Sequence, residues 1–488
     1  MASSQVRALN ITHVHPDHSQ TTIRPPPLAD DDHTIVKLSF LDSFHVPTGP
    51  IQRLFFYEGP DLPTFPFLVG SLRSSLAAIL PVFLPLAGKL TFRPSTGDVF
   101  VDFSAPAVSS GVKFVEAEFL GGADAMHRLA SDDEHDAEAF AQLVPDLDDA
   151  GHGQLPVPVL AVQATRPADG GAVVAVGVSV HHAVADGKSL WQLMRWWSAA
   201  SRGDLPLAGL VPPTFDRSVI RHQGAEELTA SILRLRAPTL PTLPPSSTGA
   251  AADTARRRSR TFLLAAEQVQ SLKRHISQQL SKPASAYVAV SSLAWTCIVG
   301  AKTSSKMILA NDEACLLVFA DCRGRPSGPW SIGEGFFGNC VNPCHARARA
   351  ADLMPPRLRG RLGGDVHGIA NAAAAIQEAI RQGVETRADN PFSDFGERLE
   401  IHMTLPPVRA SSVVSSHRFM AYETDFGWGV PSRFELASTF GNGELVALLG
   451  ARDGGMQASV SLDGACMEAF ADDFIGITRG LGQPSEAT

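Results

Sequence analysis

A proline-rich segment near the middle of the chain does most to limit the folds open to it. Residues 238–249 are rich in proline, threonine and serine, and residues 205–214 carry further prolines. Proline removes a backbone donor and restricts the residue before it, so regular structure cannot continue through such a segment. Because 488 residues exceed what one hydrophobic core usually supports, we expect two domains. The predicted division is an N-terminal domain, a crossover linker and a C-terminal domain: residues 1–205, 206–258 and 259–488.

The composition is that of a large globular protein. Hydrophobic residues make up 44% of the chain and charged residues 19%, so disorder of the whole chain is excluded. The formal net charge of −9 argues against nucleic acid or an anionic membrane as the main partner, because both repel a negative surface. A local basic pocket for phosphate groups is compatible with this charge.

The sequence favours a cytoplasmic location. Residues 1–32 are polar and contain proline, without the apolar core of a secretory signal. No apolar stretch is long enough to span a bilayer. The six cysteines all lie in the second half of the chain, without the spacing of a disulfide scaffold or a zinc site. We therefore expect reduced thiols.

A histidine lies between a predicted strand and a predicted helix. Residues 172–178 are apolar and rich in valine, which predicts a buried strand. A helix with Asp186 as its N-cap is predicted next, from an apolar stripe at helical spacing: Leu190, Leu193, Met194 and Trp197. His182 falls in the turn between them. An imidazole held there on a rigid support is a candidate general base, because its pKa lies near the pH of efficient proton transfer.

The same pattern also has a plainer explanation. A histidine pair can pack in a core, an aspartate can be a helix cap only, and a short His-x-x-x-Asp pattern arises by chance. A second segment far along the chain strengthens the catalytic interpretation. Residues 425–429 read Asp-Phe-Gly-Trp-Gly.

Together the two segments resemble the BAHD family of plant acyl-CoA-dependent acyltransferases. That family is marked by His-x-x-x-Asp-Gly near mid-chain, here His182, Asp186 and Gly187, and by Asp-Phe-Gly-Trp-Gly near the C-terminus. The resemblance extends over nearly the whole chain through further blocks: residues 38–42, 50–57, 84–90, 215–220, 321–325 and 336–340.

One block points to a branch of that family. Residues 336–340 are similar to the Tyr-Phe-Gly-Asn-Cys motif of the branch that acylates anthocyanins and other flavonoid or phenolic glucosides, commonly with malonyl-CoA. Phe336 replaces the tyrosine, and His417 stands where the branch usually has proline. Hydroxycinnamoyl transfer to an alcohol, phenolic or amine acceptor is the alternative.

The resemblance implies an α/β fold of two similar, chloramphenicol-acetyltransferase-like domains of mixed sheet and helices. A crossover loop joins them, and the active-site channel lies at their interface with His182 at its middle. The implied partners are acyl-CoA and a small-molecule acceptor, and the family is usually monomeric. From the residues themselves we predict a strand over residues 259–264 and a helix over residues 267–280.

The chemistry of acyl transfer explains the histidine. A thioester carbonyl is already electrophilic, so the enzyme has to remove a proton from the attacking hydroxyl or amine and hold the developing oxyanion. His182 is the predicted base, and it can return the proton to the departing CoA thiolate. A Gly-x-Ser-x-Gly nucleophile elbow is absent from the sequence, which fits direct transfer. Acyl-CoA is then a co-substrate, and no cofactor or metal is expected.

The other motif residues are predicted to be structural. The resemblance implies that Asp186 points away from the reacting atoms and pairs with an arginine, for which Arg323 is the candidate. Gly427 and Gly429 permit close backbone approach beside Asp425, and Trp428 fills a large packing site. A kinase interpretation of Asp-Phe-Gly is weak, because the chain has neither a His-Arg-Asp loop nor a glycine-rich loop with a partner lysine.

Basic residues should hold the CoA phosphates. The candidates are Lys273 and Arg274 on the helix after the linker, with Ser285 just beyond it. The same residues are equally compatible with an ordinary solvated surface. If malonyl is the donor, its free carboxylate needs a cation, and Lys188 lies close to the histidine motif.

Two other classes of protein are possible alternatives to an acyltransferase, namely a zinc-dependent hydrolase and a binding protein without activity. Residues 13–18 read His-Val-His-Pro-Asp-His, a zinc-binding pattern of metallo-β-lactamase-type hydrolases. Here they lack the buried strand before them and the glycines after them that such a site needs, so we interpret the match as chance. A binding protein that had lost activity would need neither His182 nor Asp186, and their presence favours an enzyme.

Overall fold

The structure is a computed structural model. It describes the following residues: 5–19, 34–148, 153–204, 209–243, 256–325, 331–354, 367–386, 390–437 and 444–481. Parts of the proline-rich linker lie outside these described residues.

Strands make up three sheets. Those of the described residues are β1 (Val6–Val14), β2 (Ile35–Lys37), β3 (Ile51–Glu58), β4 (Lys89–Arg93), β5 (Asp98–Asp102), β6 (Val112–Phe119), β7 (Val157–Pro158), β8 (Leu160–Pro167), β9 (Val173–Val180), β10 (Arg257–Leu264), β11 (Glu313–Asp321), β12 (Val341–Arg349), β13 (Ala410–Val414), β14 (Arg433–Leu436), β15 (Glu444–Gly450) and β16 (Met456–Asp463).

Helices cover and connect the sheets. The α-helices of the described residues are α1 (Phe40–Ser43), α2 (Phe65–Ile79), α3 (Ala105–Val108), α4 (Gly122–Ser131), α5 (Ala137–Gln142), α6 (Gly187–Arg202), α7 (Ala225–Arg236), α8 (Ala266–Leu280), α9 (Ala286–Ser304), α10 (His367–Ile380), α11 (Phe395–Thr404) and α12 (Gly464–Leu481). The described residues also form one π segment, Arg381–Glu385. Short 3₁₀ segments cover Leu84–Ala87, Arg217–Val219, Ala350–Leu353, Pro407–Arg409, His417–Phe419, Ala421–Glu423 and Arg452–Gly454.

The first sheet has six strands in the order β1-β6-β8-β9-β3-β14. All eight residues of β9 are buried, which is why this strand is a continuous apolar run rather than an alternating one. Gly177 is required in it, because a Cβ added there would lie 2.3 Å from the carbonyl oxygen of Leu143. Helices α2 and α6 pack on one face and build the larger apolar core with it.

The second sheet has the order β10-β16-β15-β13-β11-β12. Its core packs against α8, α9, α10 and α12. A smaller third sheet, β2-β5-β4-β7, belongs to the first half of the chain. The predicted α/β class, with two units of mixed sheet and helices, is confirmed.

Strand β14 departs from a simple division of the chain. It comes from the second half but pairs antiparallel with β3 at the edge of the first sheet, with Leu436 opposite Arg53. The residues after it return to the second sheet as β15 and β16. The two halves are therefore joined by backbone hydrogen bonds as well as by the linker.

The linker region contains more regular structure than its prolines suggest. Helix α7 lies inside it, and β10 begins at Arg257, two residues before the predicted start. A basic run ends at Arg258, and this side chain forms ion pairs with Glu134 and Glu468. The polar segment over residues 131–138 is mostly exposed, and it contacts β10 through a bridge between Glu134 and Arg260. Charge complementarity therefore fastens this segment to the second half.

The six cysteines are free thiols, as the sequence predicted, and the structure adds that all six are buried. Among the described residues, no helix has both the length and the apolar character needed to cross a membrane.

Candidate active site

One large cavity lies between the two halves of the chain. Its volume is about 1050 Å³. The first half contributes residues from α1, β3, α6 and α7, among them His45, Arg53, His182 and Lys188. The second half contributes residues from α8, α9, β11 and the segment around His417. The channel that the resemblance implied between the two units is therefore present.

His182 is held at this cavity by a tight turn between β9 and α6. The Val184 N–H donates to the carbonyl of His181 over 2.9 Å, and the Ala183 N–H donates to Nδ1 of the His181 ring over 3.2 Å. Asp186 then caps α6 by accepting from the Ser189 N–H at 2.9 Å. The predicted strand, turn and N-cap are thus all found, and they place the imidazole on a rigid support.

Desolvation keeps His182 neutral. Burial lowers the pKa of its imidazole to about 4, with a further lowering from the charge of Arg53, while backbone hydrogen bonds and Asp186 oppose the shift. The ring of His45 stacks face to face on it, with ring centroids 3.7 Å apart and planes 4° apart. Burial also holds the pKa of His45 well below its ordinary value. At neutral pH the side chain of His182 is therefore an unprotonated imidazole, the form that accepts a proton.

The predicted contact between Asp186 and Arg323 is present. Nη2 of Arg323 donates to both carboxylate oxygens of Asp186, over 3.0 and 2.9 Å, and also to the carbonyl of Gly338 over 2.7 Å. The Cys340 N–H donates to the same carboxylate over 3.0 Å. Asp186 thus faces the 336–340 segment and not the ring of His182. Its carboxylate fixes the turn that carries the histidine to a segment far away in the sequence.

A second polar network holds the carbonyl groups of the same turn. Nδ2 of Asn339 donates to the His182 carbonyl over 2.8 Å and to Oδ1 of Asp42 over 2.9 Å. Arg217 pairs with the other oxygen of Asp42 at 3.0 Å and donates to the carbonyl of Val184 over 3.3 Å. These positioning residues lie in the blocks that carry the family resemblance. The motif patterns did not predict the contacts among Asp42, Arg217 and Asn339.

The sequence patterns did not identify Arg53 as a residue of this cavity, although its position in an apolar strand is unusual. It lies in β3 between apolar residues, and it lines the cavity while only 4% exposed. A charged residue on the apolar face of a predicted strand is a conflict that sequence patterns can detect.

The Asp-Phe-Gly-Trp-Gly segment lies outside the residues that line the cavity. Oδ1 of Asp425 accepts from the N–H groups of Gly427 and Gly429, at 2.7 and 3.0 Å. Both glycines have φ near +100°, at 101° and 99°, a conformation that other residues rarely adopt. Phe426 packs against Trp197 of α6, and Trp428 packs against Tyr57. The contacts of the segment are those of a packed turn.

The candidates for CoA binding are separated by the structure. Lys273 and Ser285 line the cavity, whereas Arg274 is exposed on α8 and does not. Oγ of Ser285 caps α9 by accepting from the Val288 N–H at 3.2 Å. The cavity is also lined by two basic side chains that the sequence did not single out, Arg195 and Arg418, and by His417, which stands where the branch usually has proline.

Lys188 lines the cavity but already has two anionic partners. Its ammonium group contacts Asp321 at 2.8 Å and also contacts Glu334. Burial alone would lower the pKa of Lys188, but the two carboxylates raise it above its ordinary value. A further carboxylate would therefore meet an ammonium group whose charge is already balanced.

The zinc-like pattern of residues 13–18 is not arranged as a metal site. His13 is exposed on β1, an edge strand. Within the described part of the chain, no group of three or more histidine, cysteine, aspartate or glutamate side chains is placed to hold a metal ion.

Comparisons with known proteins agree with this geometry. The sequence profile of a family described as "Transferase family" matches residues 18–476. The malonyl-coenzyme:anthocyanin 5-O-glucoside-6'''-O-malonyltransferase of Salvia splendens is 28% identical over 478 residues, covering 93% of each protein. Phenolic glucoside malonyltransferase 2 of Arabidopsis thaliana is 27% identical over 459 residues, covering 90% of this chain and 92% of the relative.

A solved structure shows the same fold. Vinorine synthase superposes with a TM-score of 0.66 at 18% sequence identity, covering 97% of this chain and 98% of that protein. The family profile spans nearly the whole chain, including both the turn of His182 and the Asp425 segment. The chain therefore belongs to the Transferase family of BAHD proteins and is an acyl-CoA-dependent acyltransferase.

Proposed function

We propose that the enzyme moves a malonyl group from CoA to a hydroxyl of a flavonoid, anthocyanin or other phenolic glucoside, with His182 as the general base. One observation carries this proposal, the unprotonated imidazole of His182 at the wall of a cavity that both halves line. The relatives that are named as malonyltransferases of anthocyanin and phenolic glucosides support the choice of donor and acceptor class.

The reaction needs one proton acceptor and no covalent enzyme intermediate. His182 takes the proton of the acceptor hydroxyl as its oxygen attacks the thioester carbonyl, so a C–O bond forms. The C–S bond then breaks, and the imidazolium returns the proton to the leaving thiolate. The products are the malonate ester and free CoA thiol. Acyl-CoA is the only co-substrate in this scheme, which uses no cofactor or metal.

The basic end of the cavity is where we place the phosphates of CoA. Lys273, Arg195 and Arg418 are basic side chains on its lining that stay partly or fully exposed, and His417 lies among them. Phosphates are bound well by such groups because each basic side chain can donate charge-assisted hydrogen bonds to the phosphate oxygens. Arg274 is left out of this assignment, because it does not line the cavity.

The acceptor is assigned to the aromatic part of the lining. Phe44 contacts the rings of His45 and His402, and the guanidinium of Arg236 lies 4.4 Å from the centroid of Phe44. Phe395 and further apolar residues line the same cavity. A flat phenolic ring system matches such a surface. A monomeric cytoplasmic enzyme is part of the proposal, and hydroxycinnamoyl-CoA is the alternative donor.

The test measures CoA thiol release with malonyl-CoA or coumaroyl-CoA and a mixture of flavonoid glucosides. His182→Ala should lower acceptor-dependent release by about 100- to 10,000-fold, the usual contribution of a general base, and should leave the circular dichroism spectrum unchanged. His13→Ala is the matched control, because His13 is exposed and outside the cavity. Its activity should equal that of the wild type.

Each outcome has a distinct meaning. Release with malonyl-CoA that disappears in His182→Ala supports the base and the donor together. Release with coumaroyl-CoA alone keeps the mechanism and replaces the donor. An active His182→Ala variant contradicts the assignment of the base.

A further inference from the structure

Arg53 has an unusual position for an arginine. Side chains alternate along a strand, so on β3 it shares a face with Ile51 and Phe55, both of which belong to the larger apolar core. The residue is 4% exposed, and it lines the cavity that contains His182. A buried arginine therefore lines the cavity from a strand face that is otherwise apolar at the neighbouring positions.

Its positive charge has no carboxylate to balance it in the described part of the chain. Nη1 donates to the carbonyl of Gln52 over 2.9 Å, and the buried Nε has no hydrogen-bond partner among the described residues. The three other buried arginines of the described residues each have a carboxylate partner: Arg323 with Asp186, Arg398 with Asp394 and Arg433 with Glu435. The missing counter-ion is therefore a property of this site and not of buried arginines in this fold.

Leaving the charge unbalanced is unfavourable for the protein alone. Burial lowers the pKa of Arg53 to about 9, and no other cause contributes to the shift. Buried charges are normally paired, because the loss of hydration is not otherwise compensated. A cationic group that faces a cavity under these conditions is suited to an anion that arrives with a ligand.

We propose that Arg53 binds the free carboxylate of the acyl group carried by CoA, and so selects a dicarboxylic acyl donor of the malonyl type. This assignment rests on the acyl transfer proposed above and goes beyond it by naming the donor-selecting residue. Arg53 acts on the bound donor, whereas His182 acts on the acceptor hydroxyl.

The place of Arg53 favours the acyl carboxylate over the phosphates of CoA. The charge of Arg53 lowers the pKa of His182. The thioester carbonyl that reacts must also lie beside His182, because His182 deprotonates the hydroxyl that attacks it. In malonyl-CoA one methylene separates the carboxylate from the thioester carbonyl, whereas the long pantetheine arm separates the phosphates from it. The other candidate, Lys188, already contacts Asp321 and Glu334. Arg53 is therefore the better placed cation.

Binding at Arg53 also bears on the base. The groups whose charge acts on His182 are Arg53, which lowers its pKa, and Asp186, which raises it. The neighbouring imidazoles of His45 and His181 are held neutral by burial. A carboxylate that neutralises Arg53 removes its lowering effect. The correct donor thereby raises the proton affinity of His182 as it binds.

The test compares malonyl-CoA with acetyl-CoA, which lacks the carboxylate. Arg53→Gln should lower kcat/KM for malonyl-CoA by about 10- to 100-fold, the range for losing a hydrogen-bonded charge. The value for acetyl-CoA should change by less than about threefold. Arg53→Lys, which keeps the charge, should recover part of the loss. Equal losses with both donors would overturn the assignment.

A binding measurement separates this inference from the proposed function. In thermal unfolding, malonyl-CoA should raise the Tm of the wild type more than acetyl-CoA does, and Arg53→Gln should abolish that difference. The unliganded variant should have a Tm no lower than the wild type, because an unbalanced charge has been removed. Arg166→Gln is the control, since Arg166 is half-exposed on β8 outside the cavity.

The two failures are distinguishable. If no donor is turned over but the difference in Tm is present and is lost in Arg53→Gln, the proposed function fails and the carboxylate site stands. If acetyl-CoA or coumaroyl-CoA is used and malonyl-CoA neither binds better nor reacts, acyl transfer stands and the assignment of Arg53 is overturned. The acid limb of kcat/KM with acetyl-CoA gives a further check. It should move to higher pH in Arg53→Gln, because the guanidinium charge lowers the pKa of His182.

Discussion

Three histidines around the turn are kept neutral by the fold. Burial lowers the pKa of His181 to about 3 and that of His182 to about 4, and it lowers the pKa of His45 well below its ordinary value. In the unfolded chain these groups bind protons below about pH 6.5. The unfolded state therefore takes up more protons on acidification. The stability that depends on these histidines is fully present above about pH 6.5 and is lost as the pH falls towards 4.

His45→Phe tests this linkage at a single residue. The phenyl ring can still stack on His182, but it has no proton to gain. The slope of unfolding free energy against pH, between about pH 6.5 and 4, should fall by about 1.4 kcal/mol per pH unit. Denaturant unfolding at a series of pH values measures it. His18→Phe, at an exposed position, should leave the slope unchanged, and an unchanged slope in His45→Phe would contradict the neutral state of His45.

At the residue scale, the sequence predicted the groups that lie within one local pattern. His182 and Asp186 occur four residues apart between a strand and a helix, so their placement follows from local periodicity. Asn339 contacts the same turn from 157 positions after His182, and Asp42, 140 positions before His182, holds Asn339 in place. Such contacts depend on how whole helices and strands pack together. They leave no local pattern in the sequence from which they could be predicted.

At the element scale, the 336–340 segment is the support on which the turn of His182 is fixed. The ion pair of Asp186 and Arg323 joins the start of α6 to this segment, and Ser189 adds hydrogen bonds with Gly338 at 2.9 and 3.0 Å. Both members of the ion pair are buried. A change in this pair should therefore move the imidazole of His182 without removing it.

Asp186→Asn tests the support. The free energy of unfolding should fall by about 3 kcal/mol, because Arg323 loses one buried carboxylate and keeps only Asp321. The kcat should fall by about 100-fold through misplacement of His182, while the KM for acyl-CoA changes little. Steady-state kinetics and denaturant unfolding measure both effects. Asp204→Asn removes a surface partner of Arg202 and should change neither by much. Normal kcat in Asp186→Asn would contradict the supporting role.

At the scale of the whole molecule, a buried polar cluster joins the halves. Glu435 on β14 is 0% exposed and accepts from Thr261 on β10 and Ser459 on β16, over 2.7 and 2.9 Å. His135 and Arg433 contact the same carboxylate, at 3.4 and 2.5 Å. Residues from both halves of the chain therefore bind the same buried carboxylate, that of Glu435. We expect the two halves to unfold together for this reason.

Glu435→Ala should uncouple them. Removing the carboxylate leaves Arg433 buried without its partner, so the free energy of unfolding should fall by about 3–5 kcal/mol. Calorimetry should show one transition in the wild type and two in the variant. Glu400→Ala, at an exposed position on α11, is the matched control. A single transition at the original temperature in Glu435→Ala would disprove the coupling.

The sequence predicted the overall fold class but not how its halves are connected. The proline-rich linker, the strand before His182 and the helix after it all follow from local composition and period. The exchange of β14 into the first sheet depends on four residues, Arg433–Leu436, pairing with a strand almost 380 positions earlier. A strand so short has no periodicity of its own to reveal its partner.

The pairing of β14 with the first sheet bears on how substrate access to the cavity can change. β14 is hydrogen-bonded to β3, the strand that carries Arg53, so a strand from the second half of the chain is anchored to one wall of the cavity. Residues of both halves line the cavity beside this shared sheet. Changes in the substrates that are accepted are therefore expected from replaced side chains on the cavity lining.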